Sequence, residues 1–308
     1  MRLSYKKVSF TLAFTQKIPF PVPPAFVLRS VVGSQLRRLC CVSPKTRCTE
    51  CMSSQSCAYG FAFESILPKD NQVLKGRDRI SHPLILETEP FDRLMTDSLD
   101  FQLIFLGAAV TALPYFYSAL QDGGNAGVLK ERYPFRITDV RDGSRSLLLH
   151  EHTLDTRSET SLWEYPVEHT EPQEQGIRKT LMLRLRSPLR FKTGGRYTGT
   201  FSAGELALSL HRRAQTLCSQ YGLNDGSVPV PGSAPGWEIT ENHLAWQDYT
   251  HYSARQKQPM HLGGLTGHLT LSGVFTPYEY ALLRFAELFH AGKNTAFGLG
   301  KIDIWEKG

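Results

Sequence analysis

Between Thr276 and Trp305 the chain prescribes a helix, a turn and a strand with little latitude. Thr276-Pro277-Tyr278-Glu279 combines a threonine cap, proline at the first helical position and glutamate at the third, so both ends of a capping box are present. Tyr278, Leu282, Phe285, Ala286 and Phe289 recur at helical spacing and predict one buried face. The helix then runs into His290-Ala291-Gly292-Lys293-Asn294-Thr295-Ala296-Phe297-Gly298-Leu299-Gly300, and Lys301 to Trp305 follows as a short apolar strand. A one-faced helix joined so closely to a strand needs a sheet to cover, which restricts the chain to layered α+β architectures.

Glycine tolerates positive φ and lets another backbone approach closely, so the run ending at Gly300 can wrap an anion. A helix C-terminus repels anions, so the attraction must come from loop amides and Lys293, with Thr295 as a further donor. The order G-x-x-x-x-G-K-[ST] is absent, which excludes a nucleotide-binding P-loop. No G-x-S-x-G elbow, dinucleotide fingerprint or zinc-protease motif occurs either.

The rest of the chain repeats one order of elements. An alternating strand from the N-terminus through Phe14 leads by Pro21-Val22-Pro23-Pro24 into a helix over 25–39, with Phe26, Leu28, Val32, Leu36 and Leu39 as its stripe. Strands are predicted at 59–63, 84–86 and 99–105, then a helix over 107–120. This is the split β-α-β plan. Gln121-Asp122-Gly123-Gly124 reads as a boundary, giving domains at 1–123 and 124–308. In the second, Phe135 to Asp139 and Ser146 to Leu149 read as a hairpin, and Thr180 to Leu185 and Leu189 to Lys192 as strands. Ser202 with Glu205 caps a helix to about Cys218, and strands return at 238–245, around His251 and at 264–272. Two tandem β-α-β-β-α-β units are the simplest architecture.

Its 308 residues suit two domains of roughly 100–150 residues each. Lysine and arginine exceed aspartate and glutamate by 35 to 29, a mild excess compatible with an anionic partner. No signal peptide is visible, and the most apolar stretch, 101–119, is broken by Pro114, so a soluble cytoplasmic protein without a membrane span is expected. Five of six cysteines fall together: Cys40, Cys41, Cys48, Cys51 and Cys57. In a reducing compartment this clustering favours structural zinc over free or redox thiols or an iron–sulfur cluster. The ligands would be Cys48, Cys51, Cys57 and one of Cys40 or Cys41, stapling the loop 40–57.

Two runs, Leu189-Arg190-Phe191-Lys192 and Tyr252-Ser253-Ala254-Arg255-Gln256-Lys257, interleave aromatic and cationic side chains. That mixture suits RNA, whose bases stack on rings while its phosphates meet cations. His211 lies beside Arg212 and Arg213, and His251 beside Tyr252. Transesterification of RNA needs a base at the ribose 2′-hydroxyl, an acid at the departing 5′-oxygen and a cation at the phosphate. Histidine, arginine and lysine supply all three without a catalytic metal. No dense carboxylate constellation suggests a two-metal nuclease.

Pro188-Leu189-Arg190-Phe191, the Arg212-Arg213 helix, Trp246, Tyr252 to Gln256, Leu262-Gly263-Gly264-Leu265-Thr266-Gly267 and the glycine-rich segment before the last strand resemble the Cas6 family of CRISPR RNA-processing proteins, within the RAMP superfamily. The resemblance implies tandem ferredoxin-like (RRM-like) domains meeting across a basic cleft, with the cysteine-rich loop as an insertion and a glycine-rich loop at 292–300. It implies an endoribonuclease that cuts CRISPR precursor RNA within repeats, leaving a 2′,3′-cyclic phosphate and a 5′-hydroxyl. A non-cleaving guide-RNA-binding subunit of a CRISPR effector complex is the alternative. CRISPR repeat RNA and effector-complex subunits are the implied partners. RNA would meet Arg29, Arg190, Lys192, Arg212, Arg213, Arg255, Lys257, Gly292, Lys293, Asn294, Thr295, Gly298 and Gly300. Members often carry a catalytic histidine in or just after the first helix. This chain has none before His82: either His251 or His211 takes the role, with Tyr252 a further candidate, or Arg29, Arg37, Arg38 and Lys45 support slower electrostatic catalysis.

Overall fold

A long antiparallel strand, β1 (Arg2–Phe20), opens the chain and turns every second side chain, Val8, Phe10, Leu12 and Phe14, into the core. The computed structural model describes residues 1–54, 56–65, 80–149, 153–156, 159–165, 176–223, 230–231, 234–253 and 258–307. The chain divides into two compact units, Ser4–Leu162 and Met1–Leu3 with Trp163–Gly308, here the N-terminal and C-terminal units.

In the N-terminal unit β1 is followed by α1 (Pro24–Cys40), β2 (Leu84–Thr88), β3 (Leu94–Leu106), α2 (Leu113–Ala126), β4 (Phe135–Asp142) and β5 (Arg145–Ser146). The sheet order is β2-β3-β1-β4-β5, antiparallel throughout. Phe10 and Phe101, directly opposed across β1 and β3, stack with ring centres 5.1 Å apart. Phe105 meets Phe116 of α2 edge-to-face at 5.2 Å, fastening helix to sheet. Of the expected α1 stripe, Phe26, Leu28, Val32 and Leu36 are buried, whereas Leu39, in the last turn, is exposed.

Two local expectations are corrected. Residues 59–63 form no strand: Gly60–Glu64 is a π-helical turn, closed by Ser65 N–H donating to Gly60 O at 2.9 Å. Tyr59 and Phe63 stack at 5.7 Å and 7°, and only a helical path brings residues four apart so close. Gln121 to Gly124 form no turn either, but continue α2. Their glycines are there for close approach, since a Cβ on Gly123 would lie 2.3 Å from Val31 of α1, and one on Gly124 2.2 Å from the Phe135 carbonyl. The hairpin around Asp142-Gly143 exists, pairing Arg141 with Ser146, and it belongs to the first sheet.

Past β6 (Ser161–Glu164), the C-terminal unit repeats the order with β7 (Ile177–Leu189), a small hairpin of β8 (Lys192–Thr193) and β9 (Arg196–Tyr197), α3 (Ala203–Tyr221) and β10 (Trp237–Gln247). A second hairpin, β11 (Thr250–Ser253) with β12 (Gln258–His261), precedes β13 (Gly264–Phe275), α4 (Pro277–Phe289) and β14 (Ile302–Glu306). The main sheet runs β10-β13-β7-β14. Both expected capping boxes are present, Ser202 with Glu205 and Thr276 with Glu279. The whole α4 stripe is buried. The fold is therefore mixed α+β, with the β-α-β-β-α-β order repeated. Among the described residues no helix is long and apolar enough to cross a membrane.

Candidate nucleic-acid interface

The glycine-rich loop is a closed knot of backbone. His290, Gly292, Asn294, Gly298 and Gly300 all take positive φ. Ala291 N–H donates to Gly300 O at 2.8 Å, Lys293 N–H to Arg190 O at 3.1 Å, and Gly300 N–H to Pro188 O at 3.0 Å. A Cβ on Gly292 would sit 2.5 Å from the Arg190 carbonyl, and one on Gly300 only 1.9 Å from that of Ala291. Glycine is needed because the loop folds against itself and the end of β7. Five of its amides, those of Ala291, Lys293, Phe297, Gly298 and Gly300, donate within the chain. Five of the loop's eleven amides are thus engaged within the chain, and cationic side chains add to what an anion would meet.

Those side chains gather beside the loop. Arg190 is 7% exposed, with its guanidinium carbon 3.9 Å from the Tyr197 ring centre and one terminal nitrogen donating to Asn294 Oδ1 at 3.1 Å. Its Nε is buried without a hydrogen-bond partner. Burial lowers its pKa and the neighbouring Tyr197 partly opposes that. Lys192 reaches the same ring, its Nζ 4.6 Å from the centre. The β8–β9 turn places Tyr197 there through Gly194 and Gly195, both at positive φ, and Phe191 stacking on Phe201 at 4.6 Å holds the hairpin down. Lys293 stands exposed on the loop. A buried cation with an unsatisfied donor favours an anionic ligand, because desolvation has been incurred without full pairing. Tyr197 was missed by sequence reasoning, although the alternation of cations and aromatics continues through Arg196-Tyr197.

Other expected residues have varied placements. His251, on β11, is half-buried with its ring edge-on to Phe297 of the loop at 6.4 Å, and Tyr252 beside it is 59% exposed. Arg255 and Lys257 lie outside the described residues. Arg212 is exposed on α3. Arg213 instead turns inward, donating to the Phe289 carbonyl through two nitrogens at 3.2 and 2.6 Å, to the His290 carbonyl at 2.6 Å and to Thr295 Oγ1 at 3.0 Å. It binds carbonyls at the end of α4, where a cation also suits the helix dipole. Burial pushes its pKa down to about 10, so it remains cationic at neutral pH. Thr295, buried by this contact, belongs to the same support.

His211 is 3% exposed, with Nδ1 2.8 Å from the Tyr278 hydroxyl. Desolvation first, then Arg212, lowers its pKa. An imidazole held neutral in the fold takes up a proton more readily when unfolded, so stability is full above the unfolded value near 6.5 and falls as pH drops through it. Thermal midpoints measured from pH 7.5 to 5 should decline, and His211→Gln should flatten that decline. An unchanged slope would mean other groups set it.

In the N-terminal unit Arg29 lies over Phe63 at 4.9 Å and Arg37 over Tyr59 at 5.9 Å, while Arg38 is exposed in the last turn of α1. The cysteines do not assemble the expected zinc site. Among the described residues no three histidine, cysteine, aspartate or glutamate side chains converge as ligands. None of Cys40, Cys41, Cys48, Cys51 and Cys57 is joined in a disulfide. The Cys57 thiol points to the Cys40 carbonyl at 3.9 Å, and burial, with Cys57 and Cys41 nearby, pushes the Cys40 thiol up. The C-x-x-C spacing instead serves a turn, with Cys51 N–H bonded to Cys48 O at 3.4 Å.

Residues 3–161 match the family model AF_1859_N, described as an N-terminal domain, and residues 183–302 match that of the CRISPR-associated endoribonuclease Cas6. Cas6 of Thermus thermophilus shares the fold at a TM-score of 0.53 and 16% identity, covering 98% of this chain and 99% of its own. A Cas6 product complex gives 0.50 at 17% identity, with coverage of 98% and 99%. A chain of a partial Cas6-RT-Cas1–Cas2 complex gives 0.57 at 16% identity, covering 99% of this chain and 46% of that longer one. No curated protein matches the chain. The chain thus belongs to the family of that N-terminal-domain model and carries a CRISPR-associated Cas6 domain at residues 183–302.

Proposed function

We propose that this protein is a metal-independent endoribonuclease that matures CRISPR precursor RNA by one cut within each repeat. The observation that carries the reading is the half-satisfied Arg190 cation, set with Lys192, Tyr197, Asn294 and Lys293 beside the closed glycine loop of a Cas6 domain. In this reading RNA phosphate completes the hydrogen bonding of Arg190 while Lys192 and Lys293 add charge. Tyr197 and Tyr252 offer ring faces to bases, and His251 borders the same surface. Both units are ferredoxin-like, each with two helices on a four-stranded antiparallel core, and the segment 40–57 is a cysteine-rich insertion after α1. The work takes place in the cytoplasm, where the precursor is made, and other CRISPR components are natural partners for the retained product.

The chemistry is attack of a ribose 2′-oxygen on the adjacent phosphorus with loss of the 5′-oxygen. The products are therefore a 2′,3′-cyclic phosphate and a 5′-hydroxyl. Repeat RNAs carrying a single 2′-deoxy residue at successive positions test it. One position should abolish cutting while leaving affinity unchanged, and the upstream product should lack a free 3′-hydroxyl. Tight binding with no cut of the unmodified repeat would make the protein a guide-RNA-binding subunit instead.

A further inference from the structure

The π-helical turn of the N-terminal unit builds a second polar cluster, made by residues far apart in sequence. Ser65 follows the turn at φ 47, a left-handed conformation uncommon for serine, and is 1% exposed. Its Oγ lies 2.7 Å from His82 Nδ1 and donates to the Phe61 carbonyl at 3.3 Å. On the other side of the imidazole, the Arg29 guanidinium approaches His82 Nε2 at 3.5 Å while stacked over Phe63. A hydroxyl has one proton, and Ser65 gives it to Phe61, so Oγ accepts from Nδ1–H. Arginine can only donate, so Nε2 carries the lone pair. Both neighbours select the same tautomer, with the basic nitrogen beside a cation, and the ring is half-exposed.

We propose that His82, the one histidine among the described residues of the N-terminal unit, is the general base of the RNA cut. Ser65 orients it, and Arg29 is the cation at the reacting phosphate. The inference rests on the endoribonuclease reading above. Nε2 takes the proton of the 2′-hydroxyl as the 2′-oxygen bonds to phosphorus. The bond from phosphorus to the 5′-oxygen breaks, and that oxygen leaves with the electron pair and takes a proton from water. The hydroxide left behind recovers the proton from the imidazolium. Arg29 offsets the charge that builds on the five-coordinate phosphorus. Of the other histidines considered for this role, His211 is buried against Tyr278, and His251 packs edge-on against Phe297 of the glycine loop, on the surface assigned above to RNA binding.

The test uses the full chain in excess over an RNA bearing the repeat of the CRISPR array from the same genome, read in single turnovers. His82→Ala should slow the cut by roughly 10²–10⁴-fold with the Kd for RNA nearly unchanged, and added imidazole should restore part of the rate. His82→Gln, which keeps size and shape, should be as slow and guards against an alanine variant that fails to fold. Ser65→Ala should slow the cut more mildly and displace the acidic limb of the pH–rate profile, which a packing role would leave in place. A folded His82→Ala or His82→Gln protein cutting at the parental rate overturns the assignment. A parental protein that cuts no repeat RNA overturns the endoribonuclease reading itself, so the parental control tells the two failures apart.

Discussion

Replacing Arg213 with alanine is expected to lower the melting temperature by about 10 °C, because roughly 3–5 kcal/mol is lost when buried partners of a charge are left unpaired. The guanidinium meets three acceptors around the end of α4, namely the carbonyls of Phe289 and His290 and the hydroxyl of Thr295. Lysine cannot replace it, since a single ammonium lacks the planar fork that spans them. RNA affinity should fall too, through disorder of the loop rather than loss of a phosphate contact. Affinity measured against salt separates the two causes. A residue on phosphate lowers the salt slope by about one when removed, whereas a supporting residue leaves it unchanged. Arg213→Ala should keep the parental slope, and Lys293→Ala should not. A stable Arg213→Ala protein with a reduced slope would return this arginine to the RNA-contacting set.

Gly300→Ala should be nearly as damaging, costing about 3 kcal/mol or more from positive φ and backbone overlap combined. The added methyl would lie 1.9 Å from the Ala291 carbonyl oxygen and 2.9 Å from its carbon, and no rotamer change can relieve a clash with backbone. Gly194→Ala supplies the comparison. Gly194 also has positive φ, 56°, yet nothing lies within 4 Å of the point a Cβ would occupy, so only the conformational strain of about 1 kcal/mol applies. Urea unfolding of the two variants, with equal m-values, should show a gap of about 2 kcal/mol. Equal losses would mean that φ alone, and not closure of the loop on itself, requires glycine at 300.

What could be read from sequence was whatever neighbours in sequence decide. Ser202 with Glu205 and Thr276 with Glu279 are local chemistry, and both boxes form. Alternation along β1 and the α4 stripe likewise need only a periodic count. The segment 59–63 misled because Tyr and Phe favour strands, while its helical path depends on Phe63 finding Arg29 and Phe116. Gly123-Gly124 spelled a turn until Val31 and Phe135 supplied a steric reason for both. In the site, Arg190, Lys192 and Asn294 were legible as a basic run and a glycine loop, and their meeting across 104 residues was not. Arg213 looked like a surface cation because helix-end carbonyls 76 residues away leave no trace in local sequence. The pairing of His82 with Ser65 crosses 17 positions, and its approach to Arg29 crosses 53.

A π-helical turn holds about one residue more than the α-helical turn it replaces. Here the surplus falls within Gly60–Glu64, immediately before Ser65. Deleting any one of those residues would let the segment close with ordinary four-residue spacing, a change that improves the helix. It would also swing the serine by about 100° around the axis, away from the imidazole. Segment length, counted to a single residue, therefore decides whether hydroxyl and imidazole meet. Two sequences identical at Arg29, Ser65 and His82 but differing by one gap between Tyr59 and Ser65 would not share this geometry, so an alignment that treats gaps there as neutral would equate proteins whose chemistry differs.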